Sequence, residues 1–198
     1  MKIGIIGYGS MGKMLLWKFS SNSKIAREDL YIANRTREKV LEAEEIAVVC
    51  DNRTLASECD IVFVCVRPVD MKAVLSDIST SLKDDALLVT LNGSITFDMI
   101  KKVVDVKTAK VIPSLTAEID RSQTIVCYNG LISADDKVIL RNLLGGKAQN
   151  PIALSRHNLP QSVLYKLQIL KFAGLAVIEI HRQMTRKYFH RQNRPSRP

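Results

Sequence analysis

Lys2-Ile3-Gly4-Ile5-Ile6-Gly7-Tyr8-Gly9-Ser10-Met11-Gly12 follows Met1 directly. A short apolar run ends in Gly7-x-Gly9-x-x-Gly12, and a helical pattern follows it. Strand, glycine turn and helix in that order are the context a dinucleotide-binding fingerprint requires. Each glycine has its own task. Gly7 makes the tight turn out of the strand. Gly9 lets backbone approach a pyrophosphate. Gly12 lets the helix lie close on the sheet. The helix start, Ser10 and Met11, then offers N–H groups and a partial positive charge to phosphate, with Tyr8 inside the same loop. A glycine turn of purely structural purpose is the alternative.

The second strand ends in Tyr31-Ile32-Ala33-Asn34-Arg35-Thr36. An NAD-selective fold places Asp or Glu about 20 residues after the glycines, to hold the ribose 2′-hydroxyl. No acid stands here. Asn34, Arg35 and Thr36 take its place, and an Arg fork attracts a 2′-phosphate that a carboxylate would repel. The expected cofactor is therefore NADP(H) rather than NAD(H).

The 198 residues suffice for one α/β domain plus an appendage, and 46% hydrophobic residues are ordinary for a globular protein. No run of apolar residues is long enough to suggest a membrane span. The N-terminus enters a strand pattern directly, so no signal peptide is read. Cys50, Cys59, Cys65 and Cys127 lack CxxC spacing, which predicts free thiols in a cytoplasmic protein and no metal site. The net charge is +9. Eight of the 29 Lys and Arg lie after residue 160, with one acid, Glu179, so +7 of the charge belongs to the tail. That distribution argues against a nucleic-acid partner for the main domain.

Strand and helix patterns alternate. Strands are read at 2–6, 30–33, 47–50, 61–66, 86–91, 108–112, 124–128 and near 151–154. Helices are read at 10–21, 36–45, 69–79, 96–104, and from Ser133 to Gly145-Gly146. Ser133 looks like an N-cap, with Asp136 three residues on. The pattern predicts a doubly wound, mostly parallel sheet. Ligands bind at the carboxyl ends of such strands, which gathers Gly7 to Met11, Asn34 to Thr36, Val66 to Pro68, Asn92 to Ser94 and Pro113-Ser114 around one cleft.

The motifs GIIGYGSMG, ANRT, CDIVFVCVRP, LLVTLNGSIT and KVIPSLTAEI, in this order and spacing, resemble pyrroline-5-carboxylate reductase and its relatives, including a late-competence protein of sporulating bacteria. The resemblance spans about residues 1–160. It implies a Rossmann domain that binds NADPH, an all-helical domain that dimerises and completes the active site, and hydride transfer to the C=N bond of 1-pyrroline-5-carboxylate, the last step of proline synthesis. Carried over by position, Tyr8 to Met11 match the pyrophosphate loop. Asn34 to Thr36 match the 2′-phosphate segment. Val66, Arg67 and Pro68 match the loop beside the cofactor, where the family usually has Lys in place of Arg67. Asn92 and Ser114 are placed to hydrogen-bond cofactor or substrate, or to serve only as turn and cap residues. The Ile112-Pro113-Ser114 form is nearer to the competence-protein relative than to the reductases.

After His157-Asn158-Leu159-Pro160 the likeness stops. The family continues with a helical domain of about a hundred residues; this sequence has a basic stretch ending in Arg, Pro and Ser. The expected domains are thus 1–155, the cofactor domain, and 156–198, a linker and atypical basic tail. The tail reads as a truncation or frame disruption of the dimerisation domain. Val163, Leu167, Leu170, Gly174, Val177 and His181 nevertheless fall at helical spacing, so the fold class includes a short helical tail, and pairing with a second copy stays open. His157, His181 and His190 lack metal-ligand spacing, and Tyr165 and Tyr188 read as packing residues. Three functions are compatible with these residues: a reductase taking NADP(H) and an imino-acid substrate, a dinucleotide-binding protein without turnover, and, last, a hydroxyacid dehydrogenase. The last class wants a Lys or His acid–base group, and none is evident; no catalytic residue is assigned.

Overall fold

The computed structural model describes residues 1–112, 125–144 and 153–154, the last two and Ile125 in backbone only. The chain divides into two units, Met1–Asn158 and Leu159–Pro198; every described residue belongs to the first. Pro113, Ser114 and the tail with its histidines and tyrosines lie outside the described residues.

The strands are β1 (Ile3–Ile6), β2 (Leu30–Ala33), β3 (Val48–Val49), β4 (Ile61–Val64), β5 (Leu87–Thr90), β6 (Lys107–Ile112), β7 (Ile125–Tyr128) and β8 (Ala153–Leu154). The helices are α1 (Ser10–Ser20), α2 (Asn52–Glu58), α3 (Pro68–Ile78), α4 (Phe97–Lys101) and α5 (Ala134–Leu144). All strands join one sheet in the order β3-β2-β1-β4-β5-β6-β7-β8. Every described pairing is parallel except β6 with β7.

The central strands IGII, IVFV and LLVT carry no charge because both of their faces are covered. Alternate residues feed two cores. Ile3, Ile5, Ile61 and Phe63 pack with Leu15, Leu16 and Phe19 of α1 and Leu140 and Leu143 of α5. The Phe19 and Phe63 rings lie 5.2 Å apart, tilted by 51°. Ile6, Val62, Val64 and Leu88 pack on the other side with Leu55 of α2 and Met71, Leu75 and Ile78 of α3. The spacing of the α3 residues puts them on one helical face. Each such side chain contributes about 1.5–3 kcal/mol on burial. Helices on both faces of a mostly parallel sheet are the doubly wound, Rossmann-type arrangement that the alternating pattern predicts.

One local expectation is corrected and one element is added. Residues 36–45 do not form an α-helix: Arg37–Ala43 is 3₁₀. Only Val40 and Ala43 of it are buried, an i, i+3 pair that stacks in a helix of three residues per turn and gives an α-helix too little face to bury. Helix α2 was not legible as a pattern, being seven residues long, yet Asp51 caps it, accepting from Arg53 N and Thr54 N. The Ser133 cap holds as expected. Asp136 N donates to Ser133 Oγ at 3.1 Å, and Ser133 N donates to Asp136 Oδ2 at 2.9 Å.

The pairing register aligns Ile6 with Ala33 and with Val64, and Val64 with Thr90. The loops after β1, β2, β4 and β5 therefore leave from one sheet edge. Because β1 sits between β2 and β4, the winding reverses there and opens a crevice.

Candidate functional site: a cleft over the first glycine loop

A cavity of about 650 Å³ lies in that crevice. Its lining draws on three loops: Gly7 to Gly9, Asn34 to Thr36, and Cys65 to Arg67. Ile6, Lys39, Asn52, Asp70, Ala73, Val74 and Asp77 complete it.

Gly7 leaves β1 with φ +102, the left-handed region that favours glycine, and its N–H donates to Ala33 O at 2.8 Å. Gly12 is buried beneath the turn. A Cβ there would lie 1.9 Å from Gly7 O, which is backbone and cannot step aside. Gly12→Ala is expected to destabilise the fold by about 1–3 kcal/mol or more, through overpacking. Urea denaturation checks this; a midpoint unchanged from the parent chain would refute it.

Gly9 is different. Its backbone, φ −84 and ψ −170, is open to any residue, and a Cβ would meet nothing within 4 Å. Neither the conformation nor the packing of the protein demands glycine there. Gly9 is the N-cap of α1, which has no side-chain cap and no acidic residue in its first turn. Its first N–H groups are thus left for an anion. The glycine loop is braced from β2: Tyr8 N donates to Asn34 Oδ1 at 3.1 Å, and Asn34 Nδ2 donates to Thr36 O at 2.8 Å. Asn34 therefore fixes one loop against the other with both ends of its amide.

Tyr8 lines the cleft, but its side chain is buried in the α1-side core. The hydroxyl has no hydrogen-bond partner. Burial, reinforced by the Glu42 carboxylate, pushes its pKa up. The Lys13 ammonium lies 4.6 Å from the ring centroid and pairs with Glu42 at 2.6 Å.

Two arginines stand at the cleft. Arg35, after β2, has a side chain 82% exposed, and Arg67, after β4, one 70% exposed. Between them sits Asp70, in the first turn of α3. Arg67 Nε donates to Asp70 Oδ2 at 2.9 Å, and Arg35 Nη1 lies 3.6 Å from Asp70 Oδ1. The hydrogen bond from Arg67 is the main reason the Asp70 carboxyl is held below its usual range; Asp70 is an anion at neutral pH.

Of the residues predicted from sequence, Gly7, Tyr8, Gly9, Asn34, Arg35, Thr36, Val66 and Arg67 line this one cleft. Ser10, Met11, Gly12, Pro68 and Asn92 do not line it. Ser10 and Met11 are exposed at the start of α1, and Pro68 is the first residue of α3. Asn92 folds on its own turn, its Oδ1 accepting from Ser94 N at 3.2 Å and Ser94 Oγ at 2.8 Å. Below that turn is a residue the sequence reading passed over. Lys110 of β6 is buried, donates to Gly93 O at 3.3 Å, and has its pKa lowered by burial. A lysine inside a six-residue strand of otherwise mixed character gave no periodic signal.

All four cysteines are free. Among the described residues no cluster of His, Cys, Asp and Glu could hold a metal ion, and no helix is long and apolar enough to cross a membrane.

Residues 2–93 match the family model described as "NADP oxidoreductase coenzyme F420-dependent". Over nearly three quarters of its length the chain is similar to pyrroline-5-carboxylate reductases. That of Escherichia coli is 28% identical over 147 residues, which are 72% of this chain and 55% of the relative. ComE operon protein 4 of Bacillus subtilis is 28% identical over 148 residues, 73% of this chain and 54% of the relative. The chain thus spans about half the length of these curated relatives. Among solved structures, Plasmodium falciparum pyrroline carboxylate reductase, crystallised with NADP bound, superposes with a TM-score of 0.76. It is 19% identical, with 98% of this chain and 71% of that chain covered. An imine reductase from Myxococcus stipitatus in complex with NADP⁺ superposes at 0.65, 19% identical, over 92% of this chain and 66% of that one. At these identities the superpositions establish the fold.

Proposed function

We propose that residues 1–155 are the cofactor domain of an NADP(H)-dependent oxidoreductase of the pyrroline-5-carboxylate reductase type, with 156–198 a linker and tail. The observation that carries the reading is Gly9. The described residues give no reason for glycine at that position, and we place the reason in a bound group that must come close to backbone at the start of α1. A pyrophosphate is such a group. The named relatives and the NADP-bound neighbour support the choice of cofactor and of reaction class.

In this reading Gly7 to Gly9 and the first N–H groups of α1 receive the pyrophosphate. Asn34 keeps the loop in register with β2, Arg35 meets the 2′-phosphate, and Val66 and Arg67 close the opposite wall. When bound, NADPH supplies a hydride to the imine carbon while the imine nitrogen takes a proton, leaving an amine and NADP⁺. An iminium accepts hydride without a strong protein acid, so no catalytic His is needed. The imino-acid substrate belongs to the same proposal. So does a cytoplasmic setting, with which the four free cysteines agree.

The test is a pair of titrations. NADPH is expected to bind about ten-fold or more tightly than NADH, because a charged hydrogen bond to phosphate contributes about 1.5–3 kcal/mol. Arg35→Ala is expected to cost NADPH most of that advantage and to leave NADH nearly unchanged. Equal affinities in the parent chain would overturn the cofactor assignment.

A further inference from the structure

The acid absent from the end of β2 is supplied from the other side of the cleft. We infer that Asp70 is a specificity-determining residue: it sets how strongly the cleft prefers a 2′-phosphorylated dinucleotide, by competing for the arginines that would hold the phosphate. This rests on the proposed dinucleotide reading of the cleft.

A carboxylate in a first helical turn is ordinarily accounted for by the helix dipole. Asp70 does more than that requires. Its two oxygens address two different arginines from two different loops, Oδ2 to Arg67 and Oδ1 to Arg35. It is less exposed than either, at 29% against 70% and 82%. It accepts no backbone N–H among the described hydrogen bonds, so it does not cap α3. Asp77, the other acid of the lining, is taken up elsewhere: Asn52 Nδ2 donates to it at 3.1 Å and Arg53 Nε at 2.8 Å.

The consequence follows from Coulomb's law. Any anion that pairs with Arg35 meets a second anion already 3.6 Å from the same guanidinium. A 2′-phosphate, carrying about two charges, is repelled by it; a neutral 2′-hydroxyl is not, and can donate to a carboxylate instead. Preorganisation works the other way, but weakly. At 3.6 Å and 82% exposure, Asp70 fixes Arg35 little. Competition therefore outweighs ordering, and Asp70 moderates the NADP(H) preference that Arg35 creates.

The experiment is calorimetric or fluorescence titration of the full chain and of its Asp70→Asn, Asp70→Ala and Asp98→Asn variants with NADPH and with NADH. Circular dichroism shows that each variant is folded. Both Asp70 variants are expected to bind NADPH about three- to ten-fold more tightly, with NADH unchanged or weakened. Asp98→Asn, which alters an acid in the first turn of α4 and outside the cleft lining, is expected to leave the ratio of the two affinities where it was. The gain should shrink in about 0.5 M salt, where charge interactions are screened over a few ångströms. If the parent chain binds NADPH and the Asp70 variants keep its NADPH-to-NADH ratio, or lower it, this inference fails and the cleft reading stands. If the parent chain binds neither cofactor, both fail.

Discussion

Gly9→Val is expected to leave the chain folded and to abolish dinucleotide binding. The two halves of that result come from one position. On the protein side, the Gly9 backbone conformation is open to valine, and the added Cβ points into space with no heavy atom within 4 Å. On the ligand side, that space is the mouth of the cleft at the start of α1, where a β-branched side chain excludes a pyrophosphate from the backbone N–H groups. Losing two charge-assisted hydrogen bonds at about 1.5–3 kcal/mol each weakens binding by roughly two to four orders of magnitude. NADPH titration reads the loss, and circular dichroism with urea denaturation reads the fold. The contrast with Gly12→Ala sharpens the test: three residues away, the smallest side chain should harm stability, because there Gly7 O lies in the path. Binding within about three-fold of the parent chain, in a Gly9→Val protein with an unchanged spectrum, would make the fingerprint a structural turn and nothing more.

The legible parts of this fold were those whose physics is local. An uncharged β-branched and aromatic run such as IVFV, too short for a helix, fits a strand buried on both faces, and Pro68 fits the first position of a helix. The glycine loop was legible for the same reason, since Gly7 needs positive φ and Gly12 has no room for a side chain. What escaped depends on distance in space. Asp70 looks like any acid in a first helical turn until Arg35 and Arg67 converge on it. Asn34 reads as a residue facing the ligand, but register puts Tyr8 N against its carbonyl oxygen and commits its amide to the protein. Lys110 carries no signal in the sequence, and only the fold brings its ammonium to Gly93 O and the Phe97 ring and buries it. The 3₁₀ stretch Arg37–Ala43 was missed because its charged residues suggest an amphipathic helix, while only Val40 and Ala43 find a core to enter.

The 198 residues alone are expected to bind NADPH and yet to oxidise it with pyrroline-5-carboxylate at less than about 0.01 s⁻¹, against the roughly 1–10³ s⁻¹ of ordinary enzymes. Binding and turnover separate because they use different parts. The loops assigned to the cofactor, Gly7 to Gly9, Asn34 to Thr36 and Val66 to Arg67, line the described cleft, and the start of α1 adjoins Gly9. A substrate carboxylate needs its own positive or N–H-rich site beside the nicotinamide, and the neighbouring β5 loop does not offer one. The Ser94 N–H and hydroxyl already donate to the Asn92 carbonyl oxygen, and the Lys110 ammonium is buried and turned to Gly93 O. The relatives carry nearly half of their length beyond what aligns with this chain, 46% in ComE operon protein 4 and 45% in the Escherichia coli reductase. Holding the two reactants in a productive geometry supplies up to about 7–11 kcal/mol in favourable systems. Among the described residues no group is placed to orient the substrate, and without one most of that is lost, although the hydride donor is in place. The measurement is nicotinamide absorbance with and without substrate, on protein whose NADPH affinity has been verified in the same preparation. Substrate-dependent oxidation in the ordinary enzymic range would show that these residues, singly or as paired copies, complete the substrate site themselves.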